Sequence, residues 1–258
     1  MTALSATVAG VGFWSNGLPD WEAAGTFACT GVLPESAPSR PSPQLLAPNE
    51  RRRAPGSVAV ALEVALAACR AAGRDPATLP SVFASTHGDL AITDYMCQTL
   101  AIDPTAVSPT KFHNSVHNAA AGYWTIGAGC TEAATAISAF DATFAQGLVE
   151  AMLQLATGSE AVLLVAYDTA SVGLLGTMSP SEGLLGAALV LTRDGDGPRL
   201  RAVLCDGEAA TGSGRLAVHG AGNAMAPMLP LFDALAARAG DVRLHAGAHR
   251  QLVVTIAP

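Results

Sequence analysis

His113 and His117 stand four residues apart, so on a helix they share a face. That spacing supplies two of the three ligands of a zincin-like set. The intervening Asn114-Ser115-Val116 places no glutamate after the first histidine, and no third ligand is evident. Hydrogen bonds that fix the segment are the plainer reading, and no metal is expected. Cys130 sits among small residues in Gly127-Ala128-Gly129-Cys130-Thr131-Glu132. A thiol transfers acyl groups when its surroundings stabilise the thiolate. The other cysteines are Cys29, Cys69, Cys97 and Cys205. Their odd total and wide spacing give neither a disulfide framework nor paired zinc ligands. His87, in Thr86-His87-Gly88-Asp89, reads as polar lining or a satisfied turn residue. Gly10-Val11-Gly12 lacks the third glycine and the acidic partner of a dinucleotide site, so no cofactor is expected.

Strands and helices must hold these groups. Short apolar runs at 5–11, 81–85, 134–139, 161–166, 185–192, 200–205 and 251–256 read as strands. Helical spacing marks 58–72, with Ser57 as a cap, and 112–127, 143–156 and 227–237. A further helix is expected to end near Leu100. In 143–156, Phe144, Leu148, Met152 and Leu155 share one face. The alternation predicts an α/β fold, a mostly parallel mixed sheet with helices on both faces, in a single domain spanning 1–258. Residues 34–55 hold six of the 16 prolines and read as an exposed extended loop.

Composition narrows the partners. Of 258 residues, 50% are hydrophobic and 14% charged, enough apolar matter for a sizeable core. The net charge is −7 and the single lysine is Lys111, which argues against nucleic-acid binding. The mean hydropathy of +0.35 raises the question of a membrane span. Glu63 and Arg70 break the helix at 58–72, and the run 161–166 ends at Tyr167-Asp168, so none is expected. No cationic secretory start precedes the first strand, and the expected location is the cytoplasm. The excess apolar surface fits a large protein interface.

Phe112-His113-Asn114-Ser115-Val116-His117-Asn118-Ala119-Ala120-Ala121-Gly122-Tyr123-Trp124 resembles the N-terminal half of β-ketoacyl synthases, which have the thiolase-like fold. More narrowly, it is similar to the short ketosynthase-like proteins that partner ketosynthases as chain-length factors in aryl polyene biosynthesis. Weaker likenesses lie in Thr7-Val8-Ala9-Gly10-Val11-Gly12, in Val82-Phe83-Ala84-Ser85-Thr86-His87-Gly88 and in Gly186-Ala187-Ala188-Leu189-Val190-Leu191. The resemblance implies a thiolase-like half-fold.

Ketosynthases carry a nucleophilic cysteine on the turn after the third strand, at a helix N-terminus. There the helix dipole lowers the thiol pKa and backbone N–H groups receive the oxyanion. An ungapped alignment from Asn118-Ala119-Ala120-Ala121-Gly122, with Gly158 kept in register, puts that position 19 residues after Gly122, at Asp141. The cysteine is missing. Asp141 is expected to cap the following helix, worth ~1 kcal/mol. An aspartyl nucleophile on an elbow would want glycines where Ala139 and Thr143 stand. Using Cys130 as the nucleophile would require deleting the preceding helix–loop–strand. The acid–base histidines of the family's second half are not recognisable in His219, His245 or His249.

The resemblance therefore implies a non-catalytic subunit that pairs with a full-length ketosynthase as a heterodimer or larger heteromer. It would shape the acyl tunnel while chains grow on acyl carrier protein. Candidate interface or tunnel residues are His113, Asn114, His117, Asn118, Tyr123, Phe140 and Phe144. Two other readings stay open: an active acyltransferase or condensing enzyme using Cys130, and a structural or metal-binding scaffold.

Overall fold

The structure is a computed structural model that describes residues 3–257. In chain order the strands are β1 (Leu4–Ser15), β2 (Ser81–Ala84), β3 (Ala134–Ile137), β4 (Ala161–Thr169), β5 (Leu184–Thr192), β6 (Arg199–Asp206), β7 (Gly240–Gly247) and β8 (Arg250–Ala257). The helices are α1 (Trp21–Thr30), α2 (Pro48–Arg53), α3 (Gly56–Ala71), α4 (Leu90–Ile102), α5 (Pro109–Asn114), α6 (Ala119–Ala128), α7 (Thr143–Ala156), α8 (Gly173–Met178), α9 (Arg215–His219) and α10 (Leu229–Ala237).

All eight strands form one sheet in the order β3-β2-β4-β5-β1-β6-β8-β7. The sheet is mixed, but only β2 with β3 and β2 with β4 run parallel, so the expected parallel majority is reversed. Alternating helices imply parallel strands only where each helix is a crossover between neighbours. Here β7 and β8 are joined by a turn at Ala248 and His249, and β4 and β5 pair antiparallel.

β5 and β6 act as one long strand that changes sides of β1. Thr7 pairs with Thr192 on one side and Arg199 on the other. The crossing at 193–198 presses so close that a Cβ on Gly197 would lie 2.0 Å from the Val8 carbonyl oxygen. Only glycine fits there.

Helices cover both faces of the central strands, which is why β4 and β5 are buried almost throughout. One core packs Phe144, Leu148 and Met152 of α7 with Phe232 of α10. The other packs α3 with Trp124 of α6 and Phe83. On the β6–β8–β7 wing, burial alternates along the strands, as expected of a sheet covered on one face.

Several local expectations are refined. Gly10 and Gly12 serve packing, since a Cβ at either would strike the backbone of α3 at Ala68 or Val64. Pro55, not Ser57, stands at the start of α3, and Ser57 Oγ donates to Asp89 Oδ2 at 2.9 Å. The proline-rich loop contains α2, and its Leu46 is buried in the α3–α6 core. The helix expected over 112–127 is two helices. Ser115 Oγ donates to the Phe112 carbonyl and closes α5, and the chain turns before α6 begins.

Candidate functional site

The turn from β3 into α7 is a tight corner. A 3-10 turn, Phe140–Ala142, leads into α7, and Phe140 has φ +54°. Left-handed backbone is costly for a bulky residue, typically ~1–3 kcal/mol, and persists only where neighbours enforce it. The enforcing group is Thr143. Its buried Oγ1 accepts the Ala139 N–H at 2.9 Å and donates to the Phe140 carbonyl at 2.6 Å. Ser138 Oγ ties the end of β3 to the Thr86 carbonyl at 3.0 Å.

Asp141 lies on this corner but makes no cap. Neither it nor any other side chain bonds the first N–H groups of α7. The Thr143 hydroxyl already closes the turn, and the Asp141 carboxylate projects outward, exposed. It opens into a cleft of about 570 Å³. Arg243 and His245 of β7 also line it, together with small residues such as Ala217, Ala224 and Pro227. The wing reaches the corner because Gln146 Nε2 on α7 donates to the Ala246 carbonyl at 2.8 Å. Arg243 Nη1 donates to Oε1 of the buried Gln251 at 3.4 Å, which orients the guanidinium. A carboxylate, a guanidinium and an imidazole thus line one cleft. They can bind polar groups, but no thiol is among them.

Behind the corner, Asp168 at the end of β4 is fully buried. Its carboxylate accepts Ser85 Oγ–H at 2.7 Å, Thr86 N–H at 2.9 Å and His87 N–H at 3.2 Å. Burial pushes this carboxyl above the usual range, against the opposing pull of the Ser85 and Thr86 bonds and the His87 charge. The knot fixes the turn that leads into α4. From it His87 Nε2 reaches Ser179 Oγ at 2.6 Å, and His117 Nε2 donates to the Ser85 carbonyl at 2.8 Å.

The other flagged residues fall in different places. His113 sets its ring edge on Tyr123 with centroids 5.7 Å apart, while His117 lies in the turn after α5, so the two do not share a helix face. Among the described residues no group of three His, Cys, Asp or Glu could hold a metal ion. Asn114 is buried at the end of α5, and Asn118 is exposed at the start of α6. Tyr123 is half-buried. Phe144 is buried against Phe232. His219 Nε2 donates to the Asn16 carbonyl at 2.9 Å, and His249 pairs with Glu208 at 2.9 Å.

Cys130 precedes β3, at the far end of that strand from the corner. Its thiol is buried and donates to the Leu79 carbonyl at 3.5 Å. Its N–H bonds the Thr125 carbonyl, so it sits at the C-terminal end of α6 and not at a helix N-terminus. Nothing in the sequence alone marks Arg243 or Asp168 as site residues. Thr143 had a local signal, a hydroxyl residue just where the helical pattern begins.

The sequence matches the family described as β-ketoacyl synthase, N-terminal domain, over residues 26–250. The chain belongs to that family. Its fold is that of a chain in the ketosynthase ApeO–chain length factor ApeC complex from Xenorhabdus doucetiae, with TM-score 0.77 and 21% identity over 98% of this chain and 99% of that one. A chain of the AntDE:AntF complex, a type II polyketide synthase acyl-carrier protein with its ketosynthase, aligns with TM-score 0.75 and 12% identity over 99% of each. A chain of the ishigamide ketosynthase/chain length factor aligns with TM-score 0.72 and 16% identity over 99% of this chain and 100% of that one. At these identities the likeness is one of fold. No curated protein matches the sequence. Among the described residues no helix is long and apolar enough to cross a membrane.

Proposed function

We propose that this chain is a chain-length-factor-like subunit without condensing chemistry of its own. It pairs with a full-length ketosynthase and shapes the acyl tunnel of that partner during polyene or fatty-acyl elongation on acyl carrier protein, in the cytoplasm. What supports the reading is a carboxylate, Asp141, on the turn that leads into α7, the position to which the sequence alignment assigns the thiolate of a condensing enzyme. The burial of Cys130 and its place at a helix C-terminus count against the enzyme reading. The separation of His113 from His117 counts against a metal scaffold.

The contrast between the two sheet edges supports pairing. β7 is blunted by Asp241, Arg243 and a register irregularity before Gly247. β3 reads Ala-Thr-Ala-Ile, with no charge, no proline and exposed or half-exposed side chains. Exposed apolar groups lie beside it, Ile126 on the adjoining α6 and Phe140 just beyond its end, and Phe112 and Val116 around α5 are exposed as well. A strand from a partner would satisfy that edge. Phe112, Val116 and Tyr123 then become the candidates for the tunnel wall.

The test is co-expression with full-length ketosynthases of the same organism, then measurement of assembly, turnover and product length. A stable heteromer whose product length shifts in Phe112→Ala or Val116→Trp, with Asp141→Asn leaving turnover within about tenfold, is the expected result. Turnover lost more than ~100-fold in Asp141→Asn, with the heteromer intact, would show that Asp141 performs chemistry.

A further inference from the structure

Among the described residues three non-glycine residues have left-handed backbone: Phe140, Arg238 and His249. Arg238 directly follows α10, a position where that conformation is routine. His249 lies in the tight turn between β7 and β8, where it is also common. Phe140 has neither excuse. It lies between a strand and a helix, is aromatic, and leaves 59% of its surface in solvent. No ring packs on it among the described residues. Glycine would relieve the backbone and remove an exposed apolar ring at once. A residue that is unfavourable for the isolated chain on both counts has its reason outside that chain.

Its position says where. Phe140 follows the end of the uncharged edge strand β3 by three residues, so a strand paired along β3 would bring its neighbouring surface up to the ring. Thr143 holds the corner rigid, so the ring is presented with little further ordering to lose on binding. We infer that Phe140 is the aromatic anchor of the interface with the ketosynthase subunit that pairs on β3, seated in an apolar pocket of that subunit. The inference rests on the pairing reading above and adds to it the residue that dominates affinity.

Two variants separate the ring from the backbone. Phe140→Gly removes both ring and strain. Phe140→Ala removes the ring and keeps the left-handed demand on an L-residue. For the isolated chain, Phe140→Gly should melt higher by about 2–4 °C, whereas Phe140→Ala should not rise. In titration against the co-purified ketosynthase, both should weaken association about 30-fold or more, the size of a hot-spot loss. Affinity unchanged within twofold in both variants, with the wild-type heteromer intact, would overturn the anchor and leave the pairing reading standing. A wild-type chain that ignores the ketosynthase would overturn both. Self-association that disappears in both variants would give the anchor to a second copy of this chain and overturn the assignment.

Discussion

Replacing Thr143 by valine removes the hydroxyl that closes the corner and keeps the shape of the side chain. Two hydrogen bonds go, to the Ala139 N–H and the Phe140 carbonyl. Phe140 is exposed, so its carbonyl can turn to water, and its loss is that of an ordinary bond, ~1 kcal/mol. Ala139 is only partly accessible, and its N–H would be left poorly paired at ~1–2 kcal/mol. The sum is about 2–3 kcal/mol, or a melting point lower by about 5–10 °C for a chain of this size. Thr143→Ser keeps both bonds and gives up one buried methyl, ~1 kcal/mol. Asp141→Ala touches no bond in the corner and should stay within about 0.5 kcal/mol. Urea unfolding followed by far-ultraviolet circular dichroism measures all three. The order Val worst, Ser intermediate and Asp141→Ala near neutral is expected. An Asp141→Ala cost above that of Thr143→Val would refute the assignment of the turn closure to Thr143.

Phe144→Ala should cost about 3–5 kcal/mol, because the ring is buried against Phe232; in denaturant titration a loss under 1 kcal/mol would contradict that burial. Asp168 has a folded-state pKa above its ordinary 3.8, so the folded state holds this proton longer than the unfolded one. Its contribution is then fully present below 3.8 and declines as pH rises through the raised value. The stability gap between wild type and Asp168→Asn should narrow with rising pH across that window, and a gap that widens would show that the hydrogen bonds outweigh burial. Thiol labelling under native conditions should modify the exposed Cys29 and Cys97 first and spare Cys130 and Cys69, the latter pushed up to about 12 by burial; early modification of Cys130 would revive the enzyme reading.

What could be read in the residues follows how local each signal is. α7 has its sequence-derived bounds because its apolar face repeats without interruption. β4 and β5 stand out as apolar runs for the same reason. β7 was missed: Val242, Leu244 and Ala246 alternate with Asp241, Arg243 and His245, but glycines bound the run and its residues are half polar. The parallel majority failed because strand direction depends on which neighbour a strand finds, and nothing in β5 or β6 announces that β1 will lie between them. The site divided in the same way. Asp141 on a corner was legible through a local motif. Its meeting with Arg243 and His245 was not, since it depends on a contact between segments about a hundred residues apart.

The change of sides at Thr7 gives the cleft an all-or-none character. The wing that carries Arg243 and His245 joins the rest of the sheet through four residue pairs, Leu4 to Thr7 against Ala202 to Arg199. A slip of one residue along that seam would turn buried side chains outward and is barred. The smallest permitted slip is two residues, about 7 Å of travel. That exceeds the reach of any hydrogen bond, so the cleft cannot be tuned by sliding the wing. Its two walls are either in register or not facing each other at all. The separation of Asp141 from Arg243 therefore depends on a short zipper that makes no contribution to the lining of the cleft, together with the bond from Gln146 to the Ala246 carbonyl.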